Sequence, residues 1–334
     1  MEPTAGTGTS GTSEAGLPAG VDPEAKIRCA DWSRAVAMSP AGTAGTYAGF
    51  LLVEIPLPWP RDAGETGEAA QLEPLIGPLG YRLQAVVPAD TGAPPAPAGQ
   101  RRVVLYAREP GATAFAGYRR FESTDGASLR DTVAALVAAA ADPGPSSLAV
   151  PGVDVLVCGH GRRDACCGRL GAGLAVRLAA GTPGPGVNLW RTSHLGGHRF
   201  APVALVLPEG TGWAFADPEL IDRVIRRDGD IDTVADHYRG CSGLAGAQVQ
   251  ALESEVLRRV GWCLLDAARH GSVDGDRAEL SWETGAEAVT WSGTVRPGRT
   301  VAMPDCMSPP ASAAKTQTEW AVWAVARHEH TRVT

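Results

Sequence analysis

Between residues 153 and 226 the apolar pattern switches period several times, and turn-forming residues mark the switches. Val153 to Val157 is a short β-branched run that reads as a strand. Asp164 stands where it can cap a helix running to about Ala180, because Leu170, Leu174 and Leu178 recur at four-residue spacing as one apolar stripe. Gly181-Thr-Pro-Gly-Pro-Gly then ends that helix. Val187 to Thr192, Ala201 to Leu207 and Trp213 to Ala216 supply three further strands, and Pro218 opens a helix reaching Arg226. A strand, a helix, three strands and a helix define an α/β unit.

The residues before it run in nearly the same order. Gly49 to Ile55 (GFLLVEI) is a short apolar run stopped by Pro56, Pro58 and Pro60, which suits a buried strand better than a helix. Tyr81 to Val87 and Arg102 to Ala107 are strands on either side of a Pro/Gly-rich loop from Pro88 to Gly99, and Tyr118 to Glu122 adds a fourth. Ser128 to Ala141 is a helix with Leu129, Val133, Leu136 and Ala140 on one face, capped by Asp125 or Ser128. If Ala63 to Ile76 contains a helix, the chain is two related α/β units, separated by the breaker Asp142 to Ser147. Beyond them, Gln248 to Ala268 reads as an amphipathic helix with Cys263 on its buried stripe. Ala278 to Trp282 and Ala288 to Val295 read as a strand pair, Pro304 to Lys315 as turns, and Trp320, Trp323 and Val325 as a last short element.

With 334 residues, 44% of them hydrophobic, the chain is long enough for two cored domains. A formal net charge of -7 leaves no basic surplus to neutralise phosphates, which excludes nucleic acid as a partner class. No run approaches the roughly 18 apolar residues of a membrane-spanning helix, so no membrane partner is expected. Met1 to Pro18 lacks a basic and an apolar region and reads as a solvated tail, not a secretory signal. Seven irregularly spaced cysteines are unlike a secreted disulfide framework and point to a reducing, cytoplasmic setting, where clustered cysteines suggest metal or redox chemistry.

Such a cluster occupies Cys158-Gly-His-Gly-Arg-Arg-Asp-Ala-Cys-Cys167, followed by His194-Leu-Gly-Gly-His198. Cys158 ends a strand and Cys166 or Cys167 falls in the first turn of the next helix, so one loop can fold both thiols to a point. Helix N-terminal amides there lower a thiol's pKa. Gly196 and Gly197 let the histidine loop turn tightly and approach an inorganic centre. Two thiolates and two imidazoles are the ligands of a structural zinc or of a [2Fe-2S] cluster. Ordinary zinc sites place two to four residues between cysteines, whereas eight separate Cys158 from Cys167, which suits a larger, two-metal centre. Cys158-Gly-His160 also has the look of a first Rieske box, but the matching Cys-x-x-His is missing, which leaves His160 the weaker candidate.

The Cys-x8-Cys spacing with a downstream His-x-Gly-Gly-His resembles the sucrase/ferredoxin-like family of thioredoxin-like ferredoxins. The resemblance is firm over about 153–217 and loose over the preceding half. It implies a [2Fe-2S] cluster held by Cys158, Cys167, His194 and His198, with Cys166 as a possible change of register. The domains that follow are a tail over 1–26, a ligand-free α/β domain over 27–147, a thioredoxin-like ferredoxin domain over 148–243, and a helical and β extension over 244–334. The expected function is electron transfer, coupled to protons through the imidazoles, with an unnamed redox protein as partner and no substrate site of its own. No paired carboxylates argue for glycoside hydrolysis. The alternative is a zinc-stabilised interaction module built on the same four residues.

The remaining features read blandly. Cys29, Cys241, Cys263 and Cys306 read as packing residues or incidental thiols, and His237, His270, His328 and His330 as surface residues. A Cys166-Cys167 thiol switch leaves the histidine pair unexplained. Arg162, Arg163, Arg191 and Arg199 flank the motifs, where they either favour a reduced centre or dock an acidic partner, or are a solvated face. Gly168, Gly171 and Gly173 fall inside the predicted helix and lack the Lys-Ser/Thr end of a phosphate loop.

Overall fold

The computed structural model describes residues 22–89, 101–124, 128–142, 146–181, 184, 186–285 and 287–331. Residues 1–21 of the tail expected over 1–26, most of the Pro/Gly-rich loop, Asp125 and the middle of the 142–147 breaker lie outside the described residues. After helix α1 (Cys29–Ala35) come β1 (Gly49–Glu54), the short helices α2 (Gly67–Ala70) and α3 (Glu73–Ile76), β2 (Tyr81–Pro88), β3 (Arg102–Ala107), β4 (Arg119–Thr124) and α4 (Leu129–Ala141). The next stretch holds β5 (Val153–Cys158), α5 (Ala172–Ala180), β6 (Val187–Thr192), β7 (Ala204–Leu207), β8 (Thr211–Trp213) and α6 (Pro218–Arg226).

These strands join in one nine-stranded sheet in the order β4-β3-β1-β2-β6-β5-β7-β8, closed by β9 (Tyr238–Cys241), which follows α7 (Ile231–Ala235). Only β1 with β2 and β5 with β6 are parallel, as expected where a helical crossover separates the strands. Outward from β2 the order is β2-β1-β3-β4, and outward from β6 it is β6-β5-β7-β8. The relatedness suspected from the element order is therefore present as a repeated topology. The two units meet edge to edge, through Val86 opposite Thr192 and Pro88 opposite Trp190.

Sheet burial explains the apolar runs. β1 is buried along its whole length, with Phe50 and Leu52 in the core on one face and Leu51 and Val53 in that on the other. α4 lays Leu129, Val133, Leu136 and Ala140 on the second of these faces, and Ser128 caps it by accepting from the Asp131 N–H.

Three differences from the sequence reading bear on the site. The helix expected over 248–268 is α8 (Ala247–Val260), ended by Gly261 at φ 77° and followed by the single turn α9 (Cys263–Asp266). Cys263 is consequently exposed and not on a buried stripe. The expected strand pair becomes a four-stranded antiparallel sheet, β10 (His270–Asp274), β11 (Arg277–Thr284), β12 (Glu287–Met303) and β13 (Lys315–Thr331), packed on α8. α1, which carries too little apolar periodicity to be read as a helix, does not pack on the unit that follows it. Its Cys29, Ala30 and Trp32 share a core with Cys158, Cys166, Cys167, Phe200 and, from β12, Val301. A hydrogen bond from Trp32 Nε1 to the Ala302 carbonyl, 2.7 Å, and another from the Met307 N–H to the Ile27 carbonyl, 2.9 Å, tie α1 and the segment before it to the end of β12 and the turn after it.

Candidate metal centre

Cys158 closes β5 and is wholly buried. Cys167, His194 and the backbone amides of Leu195 and His160 lie close enough to act on its thiol. Cys167, aided by these others, holds the Cys158 thiol well below its usual range despite burial, while the same interaction and burial push Cys167 up. The chain turns under Cys158 through Asp164 and enters its helix by a π-helical turn, Cys167–Gly171, before α5. Such turns are frequent at functional sites. Gly171 lets the helix sit directly on the strand end, since a Cβ there would lie 1.8 Å from the Cys158 carbonyl oxygen.

The histidine loop follows β6, which runs parallel to β5, so both loops emerge at the same edge of the sheet. Ser193 anchors its start through its N–H to the Ala85 carbonyl, 2.8 Å, and its hydroxyl to Gln84 Oε1, 3.0 Å. His194 Nδ1 lies 2.9 Å from Asp164 Oδ2, and His198 Nδ1 lies 3.7 Å from Asp164 Oδ1. Burial works against the Asp164 charge, but His194, His198 and Arg163 outweigh it and hold the carboxyl below its ordinary value. Asp164, and after it Cys158, raises the His194 ring. The His194–Asp164 contact has ion-pair spacing without hydrogen-bond alignment, so both atoms are buried and lack an aligned partner. Buried polar atoms of this kind mark a place where a further group fits.

Gly196 and Gly197 both have positive φ, 83° and 73°, as the tight turn requires. What Gly197 makes room for is a guanidinium: a Cβ there would lie 2.6 Å from Arg239 Nη2. Arg239, 4% exposed, donates to the Thr43 carbonyl at 2.5 Å and to the Gly196 carbonyl at 3.3 Å, clamping the loop. Burial, then the nearby Arg199, lowers its pKa to about 10. The sequence reading overlooked this arginine because it stands more than forty residues downstream in β9.

Of the four residues implied by the resemblance, Cys167 and His194 each act on Cys158 without the three closing to within 4.8 Å of one another, whereas the His198 ring turns toward Asp164 and toward Cys29, with Nδ1 3.2 Å from the Cys29 sulfur. Cys166 faces away from its neighbour Cys167. Its sulfur lies 3.3 Å from that of Cys29 and 3.3 Å from that of Cys306, and the three sulfurs all fall within 4.8 Å of one another. Cys29 and Cys306 are thus members of a thiol group, contrary to the expectation of packing or incidental residues. No spacing rule joins residues so far apart. Among the described residues this is the group whose ligand atoms are that compact, and the set of Cys158, Cys167, His194 and His198 frames a wider space. Hydrogen bonding from Cys29, opposed by burial, and then the Ala30 N–H lower Cys166 to about 5.

Other candidates are engaged elsewhere. His160 is buried, with Nε2 2.7 Å from the Pro60 carbonyl and its ring edge-on to Trp59. Cys241 is buried with its thiol on the Glu209 carbonyl, 3.3 Å. His237, His270 and His328 contact Ala214, Thr113 and Ser292 respectively, and the side chain of His330 lies outside the described residues. Arg191 turns back onto the Gly159 carbonyl at 2.9 Å and Arg199 lies over Phe200, while Arg162 and Arg163 are exposed. Among the described residues no helix is long and apolar enough to cross a membrane.

A sucrase/ferredoxin-like family model matches residues 40–240, which include the whole nine-stranded sheet apart from the last residue of β9. No curated protein and no solved structure matches the chain.

Proposed function

We propose, from the premise that this chain belongs to the sucrase/ferredoxin-like family, that it is an electron-transfer protein whose [2Fe-2S] cluster is held by Cys158, Cys167, His194 and His198. The observation that carries this reading is the wholly buried Cys158 thiol at the end of β5, held toward its thiolate form by Cys167, then by His194 and the Leu195 and His160 amides. Backbone N–H groups directed at sulfur stabilise thiolate ligands and raise a cluster's potential. The wide spacing of the four side chains suits a centre larger than a single ion.

The cluster supplies reversible one-electron chemistry. With two thiolates to balance its formal dication and two imidazoles adding no charge, a cluster held by these residues would take up an electron more readily than one held by four thiolates. Asp164 holds the His194 ring in orientation and favours a proton at Nδ1. Arg239 keeps the histidine loop folded against the thiols. Exposed Arg162 and Arg163 offer an acidic redox partner a docking edge. A cytoplasmic setting, which keeps these thiols reduced, belongs to the same proposal.

Protein purified without oxygen is expected to be red-brown, to contain about two irons and two sulfides per chain, and to give a Rieske-like paramagnetic resonance spectrum when reduced. His194→Ala and His198→Ala should each abolish or shift that spectrum. Colourless protein whose zinc depends on Cys158, Cys167, His194 and His198 would replace this reading with a zinc-stabilised interaction module.

A further inference from the structure

We propose that Cys29, Cys166 and Cys306 form a second metal site, a three-thiolate seat for a zinc-class cation that pins α1 and the turn after β12 to the candidate cluster domain. The inference does not rest on the electron-transfer reading, since it uses none of the four residues assigned to the cluster.

The three sulfurs come from the first residue of α1, the residue before the π-helical turn and the turn after β12. Two of their separations are 3.3 Å, and all lie within 4.8 Å. A tetrahedral ion with metal–sulfur bonds of about 2.3 Å needs sulfurs about 3.8 Å apart, a few tenths of an ångström from the spacing present. A disulfide is a poorer account. It requires sulfurs at about 2.05 Å, and three thiols cannot all be paired. Simple core packing is poorer too, because Cys306 is only half-buried while all three sulfurs gather at one point.

Charge and access fit as well. Three thiolates and a dication carry one net negative charge, and the largely buried Arg199 lies close enough to interact with Cys29. Cys29 and Cys166 are buried while Cys306 is half-buried, which leaves one side for entry of the ion and for a solvent molecule as fourth ligand. Three thiolates select a soft or borderline cation over magnesium or calcium.

The test is metal analysis of the full chain, with cobalt(II) as a spectroscopic probe of the metal-stripped protein. Wild type is expected to hold about one zinc ion per chain in addition to any iron, and Cys158→Ser to keep it. Cys306→Ser and Cys29→Ser, each made in Cys158→Ser protein so that the cluster residues cannot hold the ion, should lose it with their circular dichroism unchanged, and should lose the intense near-ultraviolet thiolate-to-cobalt absorption that Cys158→Ser alone retains. Should Cys29→Ser fail to fold, Cys306→Ser at the half-buried thiol decides. Absence of both zinc and the cobalt band in wild type, zinc retained when Cys306→Ser is added to Cys158→Ser, zinc lost in Cys158→Ser, or an intramolecular disulfide within the triad would each overturn the proposal. Absence of iron would defeat the electron-transfer reading and leave these measurements intact.

Discussion

Cys166 and Cys167 are consecutive in the chain and belong to different sulfur groups: Cys167 interacts with Cys158, and the Cys166 sulfur lies 3.3 Å from those of both Cys29 and Cys306. Successive residues on a helix point roughly 100° apart, so one helix start serves two sets of partners. Substitution should separate them. Cys167→Ser is expected to lose the visible iron–sulfur absorption, whereas Cys166→Ser should retain it and lose zinc. Equal loss of colour in both variants would count against the division.

The Asp164–His194 pair gives the metal-free protein a pH signature. Asp164 is held below its ordinary 3.8, so the stability it contributes is present above that value and is lost as pH falls through the lowered one. His194 is raised above 6.5, so its contribution is fully present below 6.5 and is lost as pH rises through the raised value. Denaturant midpoints of the apoprotein should therefore be highest between these limits. Asp164→Asn should flatten both flanks, and an unchanged profile in that variant would remove the pair as the cause.

In the iron-loaded protein the same carboxylate should set where the potential responds to pH. If an imidazole takes up one proton with each electron, the potential falls by about 59 mV per pH unit across the responsive window. Asp164→Asn takes away the anion that favours the protonated ring, so the window should move to lower pH. Redox titration at several pH values reads this directly. A wild-type potential independent of pH would end the coupling argument.

Two glycines in one helical stretch should respond with opposite signs. A Cβ at Gly171 would lie 1.8 Å from the Cys158 carbonyl oxygen, whereas at Gly173 its nearest contact would be Arg177 Nη1 at 3.7 Å. Gly171→Ala is expected to cost about 3 kcal/mol, the upper end of overpacking, and to spoil the approach of Cys167 to Cys158. Gly173→Ala should stabilise by up to about 1 kcal/mol, the difference in helix propensity. Urea unfolding of both variants checks the contrast. A neutral Gly171→Ala would mean that the helix does not press on the strand end.

Much of the fold was legible because burial imposes a local period. β3 and β6 coincide with their expected limits, and β1, β2, β5 and α4 fall within about a residue of theirs, since each carries an apolar run or stripe bounded by turn residues. β9 and α7 are too short to show a period, and β13 presents alternating polar residues in which only the tryptophans stood out. The four motif residues were visible because Cys-x8-Cys and His-x-Gly-Gly-His are local patterns. Asp164 was noticed for the wrong role: its carboxylate pairs with His194 and His198.

The amino-acid sequence alone determined the alternation of strands and helices, the family, and the places where thiols and imidazoles are concentrated, because each is written in neighbouring residues. Which sulfur meets which was decided only in three dimensions. Cys29, Cys166 and Cys306 converge because α1 and the turn after β12 pack on the same strand end, and a contact between residues that distant leaves no periodic trace. The same holds for Arg239, whose clamp on Gly196 and Gly197 depends on β9 completing the sheet beside them.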